Sequence, residues 1–191
     1  MTRKEQIFTV AAVAASAAAA AVITIDHARA APPRSDAQLI ASAASAAPAA
    51  IGRQAAVVTS NGSGGMRRVR GGGNGWTCMP DDPNTPGNDP MCVDHNGLAW
   101  VEAWMAHRVP AADRPGLAYM LMGATDASNT DPYAGKPARG AGWVRTGPHI
   151  MILDRNAAAS SGYPGGPHPD TSRPYVMFAG TPYAHIMMPV R

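Results

Sequence analysis

Four short apolar runs in the second half of the chain constrain its fold more than any other feature. Each is six or seven residues long and is bounded by Gly-, Pro-, Ser- or Asn-rich segments, as sheet strands are. No strand–helix alternation accompanies them, so a doubly wound parallel sheet is not expected. A short GTPY connection between the last two predicts a hairpin. The runs are LAYMLMG (117–123), HIMILD (149–154), PYVMFAG (174–180) and AHIMMPV (184–190).

One segment has the periodicity of a principal helix, over about residues 94–108. Leu98 and Val101 recur at helical spacing, Asp94 or Asn96 can cap the start, and a proline just beyond the segment ends it. A helix this apolar is expected to be covered by the rest of the domain. The predicted fold class is therefore α+β, a single domain with a mainly antiparallel sheet and one principal helix packed on it.

The first thirty residues are typical of a secretory signal peptide. Arg3 and Lys4 precede a mostly alanine apolar run that ends at an A-x-A cleavage signature before Ala31. The run is also about long enough for an uncleaved membrane anchor. Removal is favoured because alanine is a weak hydrophobe and polar residues interrupt the run. The sequence thus predicts an exported protein, periplasmic or extracellular, without stable membrane insertion after cleavage.

The remaining chain divides by composition into two parts. Residues 31–50 are rich in Ala, Ser and Pro with little to bury, which predicts a tether, although a short helix could start near Ser35. Residues 51–191 have the composition and length of one α+β domain.

Two cysteines, Cys78 and Cys92, flank a segment with four prolines. Their spacing matches neither a C-x-x-C redox motif nor half of a four-ligand zinc site. Export takes thiols to an oxidising compartment, where a structural disulfide forms readily. The sequence therefore predicts a Cys78–Cys92 disulfide.

The charge balance indicates no nucleic-acid partner. Removing residues 1–30 takes away three basic and two acidic side chains, which leaves 13 basic against 11 acidic ones. A nearly neutral domain has no basic footprint for nucleic acid. The one basic cluster, MRRVR (66–70), lies between two glycine-rich turns, and its alternation predicts a solvated edge strand.

Several longer strings in residues 74–190 resemble an uncharacterised family of exported bacterial proteins. They are GWTCMPDDPNTPGNDPMCVD, AWMAH, LMGATDASNTDPYA, TGPHIMIL and PYVMFAGTPYAHIMMPV. The resemblance implies one exported domain and brings no activity, ligand or catalytic assignment.

The tripeptide His-Ile-Met occurs twice, at His149 and His185. Strand side chains alternate between faces, so His149 shares a face with Met151, and His185 with Met187. If the two strands are antiparallel neighbours, two imidazoles and two thioethers could converge. Thioether ligands select Cu(I), so this pattern predicts a copper or other transition-metal site. The alternative is that all four side chains are ordinary sheet packing, since methionine often fills irregular cores.

Two further readings of the polar residues stay open. Oxygen-rich loops at 81–90 and 124–132 contain alternating Asp, Asn, Ser and Thr, which suits calcium, although such residues also make ordinary turns. His149 or His185 could also act as a general base oriented by an aspartate (Asp126, Asp131 or Asp154), which would make a His/Asp-based hydrolase. No obvious nucleophile is present. The sequence favours a non-catalytic exported binding or accessory protein over an enzyme.

Overall fold

The structure is a computed structural model that describes residues 34–63, 65–111 and 113–190. From Arg34 onward the chain forms one compact unit. The predicted signal peptide, residues 1–30, lies outside the described residues. Among the described residues, no helix combines the length and the apolar character that a bilayer span requires.

The described residues form ten strands and four helices. In chain order these are α1 (Asp36–Ala44), α2 (Ala49–Gly52), β1 (Ala56–Ser60), β2 (Met66–Arg70), β3 (Thr77–Met79), β4 (Met91–Val93), α3 (His95–Met105), β5 (Gly116–Met120), β6 (Ala124–Asp126), β7 (Val144–Thr146), β8 (His149–Leu153), α4 (Arg155–Ser160), β9 (Tyr175–Met177) and β10 (His185–Pro189).

Eight of the strands make one sheet in the order β2-β1-β3-β4-β5-β8-β10-β9, and β6 pairs with β7 in a second, small sheet. The strand pairs are antiparallel except β1 with β3. The predicted α+β class with a mainly antiparallel sheet is confirmed. MRRVR is strand β2 and lies at the sheet edge, as its alternation predicted, and the last two runs form the predicted β9–β10 hairpin pairing.

The predicted principal helix is α3. Asp94 is its cap, with the carboxylate accepting a 2.7 Å hydrogen bond from the Gly97 backbone N–H. The helix lies so close to β5 that a Cβ added at Gly116 would approach the Gly97 nitrogen to 2.5 Å. It ends at Met105, before the proline, and His107 beyond it takes a left-handed backbone (φ 54°).

The predicted tether does not match the structure, because residues 34–50 belong to the compact unit. Ser35 forms a capping box that starts α1, and Leu39 and Ala43 of this helix are buried. The reason is that small alanine side chains let helices and strands approach closely, so a stretch with little side-chain bulk still forms a core. The domain therefore begins at Arg34 rather than at Ile51.

The two faces of the large sheet have different cores. Cys78 and Cys92 are directly opposite each other on β3 and β4 and form the predicted disulfide. They lie on the face covered by α1, together with Ala43 and Val57. Because side chains alternate along a strand, the methionines of the same strands point to the other face, which α3 covers.

Candidate binding site

A half-open cavity of about 280 Å³ lies on the face of the sheet that α3 covers. Its remaining wall comes from the segment between β3 and β4, from β6, and from the β9–β10 hairpin. We call this space the methionine cavity, because six methionines contribute to its wall: Met79, Met91, Met120, Met151, Met177 and Met187.

The strand register explains why so many methionines meet. Three cross-strand positions are occupied by Met79 opposite Met91, Met151 opposite Met187, and Met177 opposite His185. Cross-strand neighbours have Cβ atoms about 5 Å apart, so their side chains form one continuous surface. Methionine is unbranched and polarizable, and it is over-represented at binding surfaces that adapt to different ligands.

The structure brings three of the four predicted metal-site residues to the cavity wall. Met151 and Met187 are register partners on β8 and β10, and His185 lies on the same face of β10. The two strands are antiparallel neighbours, as the metal hypothesis required.

His149 is not part of this wall. His149 on β8 is the register partner of Pro189 on β10. His185 also lies on β10, four residues before Pro189. At about 3.3 Å per residue the backbone positions of the two histidines are offset by about 13 Å along the strands. Their rings are still near enough for His149 to contribute to the lowered pKa of His185. Both histidines are buried on the same face of the sheet, at opposite ends of the β8–β10 strand pair. Metal binding by the four-residue set stays a prediction.

Each histidine is held by a backbone carbonyl two residues before it. His185 Nδ1 is 2.9 Å from the Tyr183 carbonyl oxygen, and His149 Nδ1 is 2.7 Å from that of Gly147. A carbonyl can only accept, so Nδ1 carries the proton in both rings and Nε2 keeps its lone pair. Burial lowers the pKa of His185 to about 4 and also lowers that of His149, so both rings are neutral at pH 7.

Two of the aspartates that could orient a histidine in a His/Asp hydrolase accept hydrogen bonds from backbone N–H groups instead. Asp154 caps α4 through the Asn156 and Ala157 backbone N–H groups, and Asp131 accepts from the Tyr133 N–H. In the described residues, no hydrogen bond or ion pair links a histidine to an aspartate. Nor does this part of the chain contain a group of three or more His, Cys, Asp or Glu side chains arranged to hold a metal ion.

Two carboxyl groups lie together at the cavity, a pairing that the sequence did not predict, although both belong to the loops considered for calcium. Asp89 and Asp126 both line the methionine cavity and interact electrostatically. Both oxygens of Asp89 lie 2.8 Å from the Thr85 hydroxyl, whereas Asp126 Oδ2 is buried without a hydrogen-bond partner. We call Asp89 and Asp126 the acid pair.

Burial is the main reason that the acid pair holds its protons tightly. It raises the pKa of Asp126 to about 7, and the charge of Asp89 adds to the effect. It also raises the pKa of Asp89 to about 6, against the opposing hydrogen bond from Thr85. A carboxyl in a largely apolar cavity favours its neutral form because the charged form loses hydration.

The acid pair exists because two distant loops meet. Asp89 belongs to the oxygen-rich loop 81–90 and Asp126 to the oxygen-rich segment 124–132. The loops pack so closely that a Cβ on Gly87 would lie 2.1 Å from the Thr125 hydroxyl oxygen. The only sequence signal was the acidic, oxygen-rich character of each loop, and it did not indicate that they are neighbours.

Aromatic side chains complete the wall. Trp100 and Trp104 of α3 line the methionine cavity, and Trp100 packs edge-on against His185 with ring centroids 5.4 Å apart. Phe178 contacts the same imidazole at 5.5 Å and has a left-handed backbone (φ 57°), which is unfavourable for a bulky residue. Its N–H donates to the Asn129 carbonyl, which helps to hold this conformation. Strained backbone of this kind is concentrated at functional sites.

The chain was compared with protein-family models, with curated proteins and with solved structures, and none of them matches. The resemblance to exported bacterial proteins therefore stays a prediction. What the residues themselves define is a small apolar cavity with soft donors on the sheet and two carboxyl groups at one side.

Proposed function

We propose that this protein is an exported, non-catalytic binding protein and that the methionine cavity is its ligand site. The single observation that carries the proposal is the cavity itself, about 280 Å³ within a wall of methionines and tryptophans. Ligand pockets for drug-sized molecules measure about 300–1,000 Å³ and are mostly apolar with a few polar groups. A space of this size suits a smaller apolar molecule.

Two other features support the proposal. The Cys78–Cys92 disulfide fits a protein that works in an oxidising compartment outside the cytoplasm. The histidines are hydrogen-bonded to carbonyls instead of aspartates, an arrangement that suits a structural or ligand-contacting role better than general-base catalysis.

The test uses methionine methyl groups labelled with ¹³C. 2-Phenylethanol, a small uncharged apolar molecule, should shift the NMR signals of the cavity methionines in a saturable way. Methionines outside the wall serve as internal controls and should not respond, and these are Met66, Met105, Met122 and Met188. Equal shifts in both groups, or no shift with any small apolar compound tested, would contradict a specific cavity site.

Cu(I) binding is the second candidate function, because His185, Met151 and Met187 line one cavity. Thioethers and an imidazole form a soft donor set that suits Cu(I). Metal-ligating histidines usually donate their second ring N–H to a carbonyl or carboxylate, as His185 Nδ1 does to Tyr183.

A competition titration with a chromophoric Cu(I) chelator tests this candidate, and the structure supplies a matched control. His185→Ala should abolish binding, whereas His149→Ala, which alters a buried histidine outside the cavity wall, should retain it. Loss in both variants would favour the four-residue set that the sequence predicted. No binding by the unmodified protein would exclude copper.

A further inference from the structure

Among the described residues, the fold provides no cation for the acid pair, so its two carboxyls favour their neutral forms until a positive charge is placed beside them. The neighbouring Asp81 is matched by Arg34, whose guanidinium nitrogen lies 3.3 Å from its carboxylate. Among the residues that the structure describes, no Lys, Arg or His side chain forms an ion pair with Asp89 or Asp126. An enclosed carboxylate is costly unless a cation or several hydrogen bonds compensate it.

Asp126 Oδ2 identifies where that cation would sit. This atom is buried, has no hydrogen-bond partner, and belongs to a side chain that lines the methionine cavity. Buried polar atoms in native proteins are nearly always paired, so an unpaired one at a cavity wall indicates a ligand group. Asp89 is close enough to interact electrostatically with Asp126 and is itself positioned by the Thr85 hydroxyl.

The chemistry of the wall discriminates between kinds of cation. Calcium takes six to eight oxygen ligands. Asp82, Thr85 and Thr125 also line the cavity, but the described residues contain no group of three or more acidic side chains arranged to hold a metal ion. An organic ammonium needs only two or three acceptors, and its apolar remainder can contact methionine and aromatic side chains. Trp100 and Trp104 also provide aromatic faces that favour a cation nearby.

We infer that the methionine cavity selects a small apolar molecule that carries one ammonium group, and that Asp89 and Asp126 receive this group. The inference rests on the proposed binding function and names its ligand class. The apolar part of the ligand lies against the methionines and tryptophans, and its N–H groups donate to the carboxylates of Asp126 and Asp89. A molecule of roughly ten non-hydrogen atoms suits a cavity that is slightly smaller than drug-sized pockets.

The test compares 2-phenylethylamine with 2-phenylethanol by isothermal titration calorimetry, because the two molecules differ only in the ammonium and hydroxyl groups. The amine should bind about 10- to 100-fold more tightly, the range expected for a partly buried charge-assisted hydrogen bond. Asp126→Asn should remove most of this preference, measured as the ratio of the two dissociation constants, and Asp89→Asn should reduce it. Asp131→Asn, an exposed aspartate of the same segment, is the matched control and should bind both compounds like the unmodified protein.

The comparison on the unmodified protein separates failure of the inference from failure of the proposed function. If the alcohol binds in the cavity as tightly as the amine, the ammonium inference is overturned and the binding function stands. If neither compound binds, the proposed function is overturned as well. An amine preference that survives unchanged in Asp126→Asn also overturns the inference, provided that the methionine methyl spectrum shows this variant to be folded.

Discussion

Replacing Asp126 with asparagine should change how the stability of the protein depends on pH. The native fold raises the pKa of this carboxyl from 3.8 to about 7, chiefly through burial. A carboxyl whose pKa is raised by folding binds its proton more tightly in the native state than in the unfolded state. Its stabilising contribution is therefore complete below pH 3.8 and is lost as the pH rises to about 7.

The size of the effect follows from the two pKa values. One pKa unit corresponds to about 1.4 kcal/mol, so the full difference between 3.8 and about 7 corresponds to about 4 kcal/mol. Movement of the loops and entry of water reduce the cost of a partly buried charge. We expect the free energy of unfolding of Asp126→Asn, relative to that of the unmodified protein, to increase by about 1 to 3 kcal/mol between about pH 4.5 and about pH 8.

The difference between the two proteins is more informative than either pH profile alone, because His185 acts in the opposite sense. Burial lowers the pKa of this base from 6.5 to about 4, so its contribution is present above pH 6.5 and is lost as the pH falls to about 4. His185 is present in both proteins, so its contribution largely cancels in the comparison. Asp89, whose pKa burial raises to about 6, is likewise present in both proteins, so the prediction concerns the difference between the two profiles.

Urea unfolding, monitored by tryptophan fluorescence with the disulfide kept intact, tests this prediction. Asp131→Asn is the control, since this exposed carboxylate accepts only a local hydrogen bond that asparagine can also accept. Parallel pH profiles for Asp126→Asn and the unmodified protein would refute the reasoning that the Asp126 carboxylate is enclosed without compensation.

Three changes outside the cavity test other parts of the fold. Leu39→Ala should lower the free energy of unfolding by about 2 to 4 kcal/mol because this α1 side chain is only 5 % exposed, and an unchanged urea midpoint would restore the tether interpretation. Replacing Cys78 and Cys92 with alanine should cost about 3 kcal/mol, from a loop closed across 14 residues, and equal stability of this variant and the oxidised protein would contradict that estimate. Gly116→Ala should lower the melting temperature by several degrees because the new Cβ meets the α3 backbone, whereas Gly142→Ala, with nothing within 4 Å, should leave it unchanged.

The parts of the fold that depend on local patterns could be predicted from the sequence. The alternation of MRRVR predicted an edge strand, the PYVMFAG and AHIMMPV runs predicted the β9–β10 hairpin, and Asp94 was one of the two predicted caps of the principal helix. Each of these depends on side chains a few residues apart. A short helix near Ser35 was considered from the sequence, and α1 does begin there. Its burial was not predicted, because little side-chain bulk was equated with nothing to bury, whereas Ala43 is fully buried.

Only part of the candidate site could be predicted from the sequence, because the site depends on strand register and on the packing of segments that are distant in the chain. The face on which Met151 and Met187 lie follows from the two-residue period of a strand, and the structure agrees. The offset between His149 and His185 follows from the β8–β10 register, which no local pattern specifies. The acid pair requires loop 81–90 to lie on β6, where Gly87 approaches Thr125 closely, and nothing in the sequence indicates that these two segments are neighbours.

The position of β10 in the sheet determines how the cavity is completed during folding. Strand β9 pairs only with β10 among the described strands, and β10 in turn pairs with β8. Strand β9 can therefore join the sheet only through β10, and the two strands together supply Met177, His185 and Met187 to the wall. These residues follow every other wall element in chain order, so the cavity wall is incomplete until this segment has folded.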